Sequence, residues 1–177
     1  MRRPYLLSNR LGSSGQSGQA FIEFVFVAIM LMVLLLGLID FGRAIYDRQI
    51  LTNLSREGSN LASRGTTFSD TVAAVTNSAN PLDFRGKGRV IVTQVFNSNG
   101  TFRITNQQSS TFGIAATSRV GTGVGSPATL PTTAVALPQS NQYLYVTEVF
   151  YLYQPITPVG RLLSIALPTN LYDVAFF

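Results

Sequence analysis

Two hydrophobic patterns divide the first third of the chain. From Phe24 to Ile39 it reads FVFVAIMLMVLLLGLI, sixteen positions without a polar side chain; extending back to Ala20 gives twenty, with Glu23 the sole interruption. Twenty helical residues at about 1.5 Å each span about 30 Å, the thickness of a bilayer's hydrocarbon core. Twelve of the sixteen are Leu, Ile, Val or Phe. At roughly −0.4 kcal/mol each they favour insertion by about 5 kcal/mol before the cost of Glu23. No other part of the chain could surround so apolar a helix, so a single-pass anchor is predicted over about residues 20–39. From Asp40 to Ser63 no Pro intervenes, and Phe41, Ala44, Ile45, Leu51, Leu54, Gly58, Leu61 and Ala62 recur along one broad helical stripe. Asp40 and Arg43, and Arg43 and Asp47, are spaced to pair on the opposite face. Gly58 and Ala62 make a small-residue step that admits a close neighbour, and Gly65 is a plausible stop. One helix over about residues 20–64 would be roughly 65 Å long. Its amphipathic part, 40–64, needs a partner, either this protein's own globular part or the helices of other subunits.

The rest, residues 66–177, is long enough for one small core. Phe68 to Ala79 reads as a short helix, with Ser69 as N-cap and Pro81 past its end. Val90 to Phe96 and Thr101 to Thr105 flank the turn Asn97-Ser98-Asn99-Gly100, a hairpin signal. Residues 106–142 are rich in Ser, Thr, Gly, Pro and Gln and predict long loops, with one short strand around Phe112 to Thr117. Leu144 to Tyr153 is the strongest strand, with Tyr143, Tyr145, Val149, Tyr151 and Tyr153 on one face and Leu144, Val146, Phe150 and Leu152 on the other. Pro155 and Pro158 end it, Leu162 to Leu167 suggests a helical turn, and Leu171 to Phe177 a last strand. The expected fold is α+β: a long N-terminal helix against an antiparallel sheet of three to five strands.

Charge sets the orientation. The chain carries 13 Lys+Arg against 8 Asp+Glu, but Arg2, Arg3 and Arg10 fall in the first 18 residues, which hold no acid. The remaining 10 cations and 8 anions leave +2, so the basic balance belongs mainly to the leader and argues against a nucleic-acid partner. The positive-inside rule places the N-terminus in the cytoplasm and the C-terminal domain across the cytoplasmic membrane, in the periplasm or outside. With no Cys and no His, disulfides, thiolate metal sites and Cys or His nucleophilic triads are excluded. The apolar run is too long for a secretory signal peptide, and no small-x-small cleavage pattern follows it.

Glu23 is the oddity, a carboxylate at the start of the apolar stretch. It either snorkels to the headgroups or has a function. Upstream, the glycine-rich stretch 12–18 ends at Gly18, which a protease can hold extended because it lacks a Cβ. Cleavage between Gly18 and Gln19 would leave Glu23 fifth in the new chain, followed by Phe24, with a fresh α-amine one helical turn away. The segment GQAFIEF followed by a hydrophobic helix resembles the processing site of type IVb, Flp-type pilins. The continuation to residue 65 is similar to TadE-like pseudopilins of the tight-adherence pilus system. It carries Glu23-Phe24, Ile39-Asp40-Phe41-Gly42-Arg43-Ala44, and Arg56-Glu57-Gly58 with Ala62. Where family members often have Pro in the apolar run, this chain has Ala28-Ile29-Met30, which implies a straighter helix. The resemblance implies removal of the leader, residues 1–18, by a prepilin peptidase. It also implies partnership with other pilin or pseudopilin subunits and with the inner-membrane assembly machinery, and a role in assembling an adhesive pilus.

No catalytic residues, metal ligands or cofactor sites are predicted. The acids have no local acid–base spacing, GxSxG and SxxK are absent, and Lys87 is the only lysine. Gly121 to Gly125 lacks the strand-before, helix-after setting of a phosphate loop. Arg85, Lys87 and Arg89 read as a solvated loop entering a strand. The alternative to a pilus subunit is an uncleaved, signal-anchored adhesin or receptor that recognises a surface polymer.

Overall fold

A computed structural model describes residues 14–130, 137–162 and 169–177. Most of the expected leader, and all but Leu162 of the turn expected at Leu162 to Leu167, lie outside these residues. The elements run α1 (Ser14–Ser63), α2 (Phe68–Asn77), α3 (Phe84–Lys87), β1 (Gly88–Ser98), β2 (Thr101–Ser109), β3 (Tyr143–Leu152), α4 (Pro158–Leu162) and β4 (Asn170–Phe176). The α+β expectation holds: a long apolar helix precedes a four-stranded antiparallel sheet of order β2-β1-β3-β4.

Helix α1 begins about six residues before the expected start, within the glycine-rich stretch, and runs unbroken to Ser63. From Gly18 to Leu35 it is exposed throughout. From Asp40 upward one side is covered, by β3, β4 and α2. The covered positions are Asp40, Ala44, Asp47, Leu51, Leu54, Ser55, Gly58, Ser59 and Ala62, recurring every three or four residues. This corrects two expectations. Phe41 and Ile45 stand outside the packed stripe, and Asp40 and Asp47 lie within it rather than on the charged face. Apolarity alone placed the stripe about one residue off, because two carboxylates and two serines share the buried side.

The amphipathic half therefore packs on its own domain. A Cβ built on Gly58 would meet Thr147 Cγ2 at 2.6 Å and Val75 Cγ2 at 3.0 Å, so the small-residue step admits the sheet and α2. Helix α2 is capped by Thr67, not Ser69: Thr67 Oγ1 accepts from the Asp70 N–H at 3.2 Å and donates to Asp70 Oδ2 at 2.6 Å. The hairpin turns at Asn99 and Gly100, both at positive φ (50° and 87°), which suits the Asn-Gly pair. Strand β2 runs to Ser109, four residues past the expected end.

Both faces of the sheet are covered. Val90, Val92, Val149, Tyr151 and Tyr153 pack toward the helices, with Leu51, Leu54, Val75 and Phe84. Val95, Leu144 and Val146 pack on the far side, under Val120, Ala128 and Leu130 of the loop-rich segment. No strand forms at Phe112 to Thr117. The segment is instead tied down irregularly, by Ser110 N–H to Val90 O at 2.9 Å and Ala128 N–H to Phe102 O at 2.9 Å among others. The tyrosine face of β3 is core packing except at Tyr143, which is exposed.

Candidate functional site

The sequence singled out two places on α1, and the structure sets them about 30 Å apart along one rod. At the lower end, Gly18, Gln19, Glu23 and Phe24 are all exposed and helical. Gln19 Nε2 donates to Glu23 Oε1 at 3.1 Å, so the residue that would lead a cleaved chain already touches the carboxylate one turn on. Gly18 meets nothing within 4 Å of a notional Cβ. A peptidase that reads this bond in extended form must unwind a turn of helix. The glycines there lower that cost by about 1 kcal/mol each relative to Ala.

At the upper end the family-like residues separate into buried and exposed groups. Phe41, Gly42, Arg43, Arg56 and Glu57 face outward, and Glu57 accepts from Ser78 Oγ at 3.2 Å. Asp40 and Gly58 are buried. Asp40 is the joint between helix and domain. Its carboxylate accepts from Ile156 N–H at 3.0 Å, Thr157 N–H at 3.3 Å and Thr157 Oγ1 at 2.5 Å, while its backbone carbonyl accepts from Tyr153 Oη at 2.7 Å. Gly160 packs against the carboxylate so closely that a Cβ would overlap it. Burial alone would push the Asp40 carboxyl up. The hydrogen bonds from Thr157 and Ile156, with the nearby Arg43 charge, outweigh it and hold the group below its ordinary value. Asp47 is the reverse case: burial raises its pKa, the Arg43 charge only partly compensates, and among the described residues no hydrogen bond reaches it. The pairings expected of Arg43 are thus long-range attractions rather than ion pairs.

Residues that the sequence did not single out complete the joint. Ser55 Oγ donates to Asp173 Oδ2 at 2.5 Å, Thr52 Oγ1 to Asp173 Oδ1 at 3.2 Å, and Ser59 Oγ to the Ala175 carbonyl at 2.8 Å, stitching α1 to edge strand β4. Their signal was the spacing of Thr52, Ser55 and Ser59 beside Leu51 and Leu54. On the far face Glu148 is fully buried, accepting from Arg119 N–H at 2.8 Å, from Tyr172 Oη at 3.0 Å and from Ser118 Oγ. Burial, together with the Glu148 charge and hydrogen bond, holds the Tyr172 hydroxyl protonated well past its usual range, and the Arg119 guanidinium stacks 3.8 Å from the Tyr172 ring centroid. The scattered cations of the domain are absorbed singly: Arg85 over Phe112, Arg89 on Ser109, Arg103 on the Gly125 carbonyl. Arg85 and Lys87 lie in the one-turn α3 rather than in a plain loop.

With this geometry in place, the comparison with known families falls on α1. The family described as TadE-like protein matches residues 18–60. That stretch of α1 is similar to the TadE-like family. The match opens at Gly18 and runs through the apolar span, Asp40 and Gly58, all on one helix. It suggests a structural, Tad pilus-associated protein, and the apolar helix suggests a single-pass membrane anchor. No curated protein and no solved structure matches the chain. Among the described residues no group of acids is placed to hold a metal ion.

Proposed function

We propose that the protein is a TadE-like pseudopilin or minor pilin. In this reading a prepilin peptidase removes residues 1–18, and the mature subunit assists assembly of a tight-adherence pilus with other pilin-like subunits and the inner-membrane machinery. The observation that carries the reading is that the TadE-like match begins at Gly18 and follows a single continuous helix into the packed domain. The contact of Gln19 with Glu23 supports a role for Glu23 once the α-amine of residue 19 is free: the amine lies within one turn of the carboxylate, and in a low-dielectric setting the two charges offset each other.

Mass spectrometry of the membrane-extracted protein tests the first step. A mature N-terminus at Gln19 is expected, and an intact Met1 terminus would overturn processing. Glu23→Ala should leave membrane insertion unchanged and reduce pilus assembly at least tenfold, counted as surface fibres per cell; wild-type piliation would remove Glu23 from the mechanism.

A further inference from the structure

The environment of α1 changes at one residue. From Phe21 to Ile39 its apolar side chains are exposed for most of its circumference, and Asp40 is the first fully buried position. The same residue fixes the chain that leaves β3. Ile156 and Thr157 bind its carboxylate, Tyr153 binds its carbonyl, and Gly160 of α4 abuts it. The turn 155–161 is therefore held at the axial level where the apolar span ends.

Accepting the single-pass anchor, on which this inference rests, Ile39 marks the edge of the hydrocarbon. The headgroup layer occupies about 5–8 Å beyond it, some four or five helical residues. We infer that the turn 155–161 seats on the membrane surface, with Ile156 inserted at the boundary between headgroups and acyl chains and Arg161 among the phosphates. The composition at this level suits that layer. Ile156 is 53% exposed beside the exposed Pro158 and Arg161, and α1 presents Phe41 and Arg43 outward within the same layer. The backbone suits it too. The N–H groups of Ile156 and Thr157 bond to Asp40, that of Gly160 to Thr157 Oγ1 at 3.0 Å and that of Arg161 to the Thr157 carbonyl at 3.2 Å. Pro155 and Pro158 have no N–H to satisfy. Such a turn can enter a layer poor in water with few orphaned donors. The exported domain would thus rest on the bilayer at a second point beside its anchor.

The chain has no Cys, so single cysteines can be placed freely. Full-length Ile156→Cys, Leu31→Cys and Tyr143→Cys proteins would carry the same environment-sensitive fluorophore. They would be reconstituted in phosphatidylcholine/phosphatidylglycerol vesicles holding lipids spin-labelled near the headgroup or deep in the chain. Tyr143 starts β3, ten residues or roughly 33 Å of strand from Tyr153, and is also exposed, so it controls for stickiness of the probe. The expected result is at least twofold quenching of the Ile156 label by the shallow quencher, deep quenching at Leu31, and none at Tyr143. Deep quenching at Leu31 with an Ile156 label that behaves like Tyr143 would overturn the seating and leave the anchor intact. A Leu31 label that no lipid quenches would overturn both.

Discussion

At the scale of single residues, two aspartates one helical stretch apart behave oppositely, and the difference can be measured. Asp40 is held below its ordinary pKa by hydrogen bonds, so its contribution to stability is complete above the unfolded carboxylate value, about 3.9, and is lost as pH falls through the lower folded value. Asp47 is raised by burial, so its charge weakens the fold at neutral pH and is relieved as pH falls through its raised value. Asp47→Asn should therefore melt higher than the parent protein at pH 7, with the gap closing by pH 4; a constant gap in paired thermal scans would contradict the assignment. Gly58→Ala forces a methyl against Thr147 and Val75, and overpacking of this kind costs about 1–3 kcal/mol, to be read as a lower denaturation midpoint. Residue types foretold these roles unevenly. Gly58 was legible because a small residue four before Ala62 predicts close approach. Asp40 was read as pairing with Arg43 on the face opposite the stripe, since its partners Tyr153, Ile156 and Thr157 lie more than a hundred positions away.

At the scale of elements, strong periodicity carried through to structure and weak signals did not. The apolar run, the hairpin around Asn99-Gly100 and the β3 pattern all formed where the sequence placed them, since each is fixed by local patterning or turn geometry. The cover over the second face of the sheet was invisible. Its residues, Val120, Ala128 and Leu130, are spread through a Gly- and Ser-rich stretch with no period to detect, and the buried Glu148 that ties it down looked like an ordinary polar position in a strand. The seam between α1 and β4 is likewise polar. Ser55→Ala and Asp173→Asn should each destabilise the protein by about 1.5–3 kcal/mol, as for hydrogen bonds to a charged group. Because both act on one bond, the double variant should fall short of the sum by at least about 0.5 kcal/mol in a double-mutant cycle, and full additivity would sever the seam.

At the scale of the whole molecule, the core begins at Asp40 and draws nothing from the apolar span. A chain starting at Gly37 should therefore remain in solution without detergent and unfold cooperatively, within a few degrees of the full-length protein; non-cooperative melting would show that the span contributes to folding. The division of labour on α1 also has a mechanical side. The domain clamps one side of the helix from Asp40 to Ala62, and no proline interrupts the bare shaft below. Between Gly18 and Asp40 that shaft measures about 33 Å. A rocking of the clamped domain by about 10° would then sweep the Gly18 tip sideways by about 6 Å, a little more than one helical pitch. The helix is a lever arm, and a push on the packed domain is felt, in direction and amplitude, at the Gly18 end of the shaft.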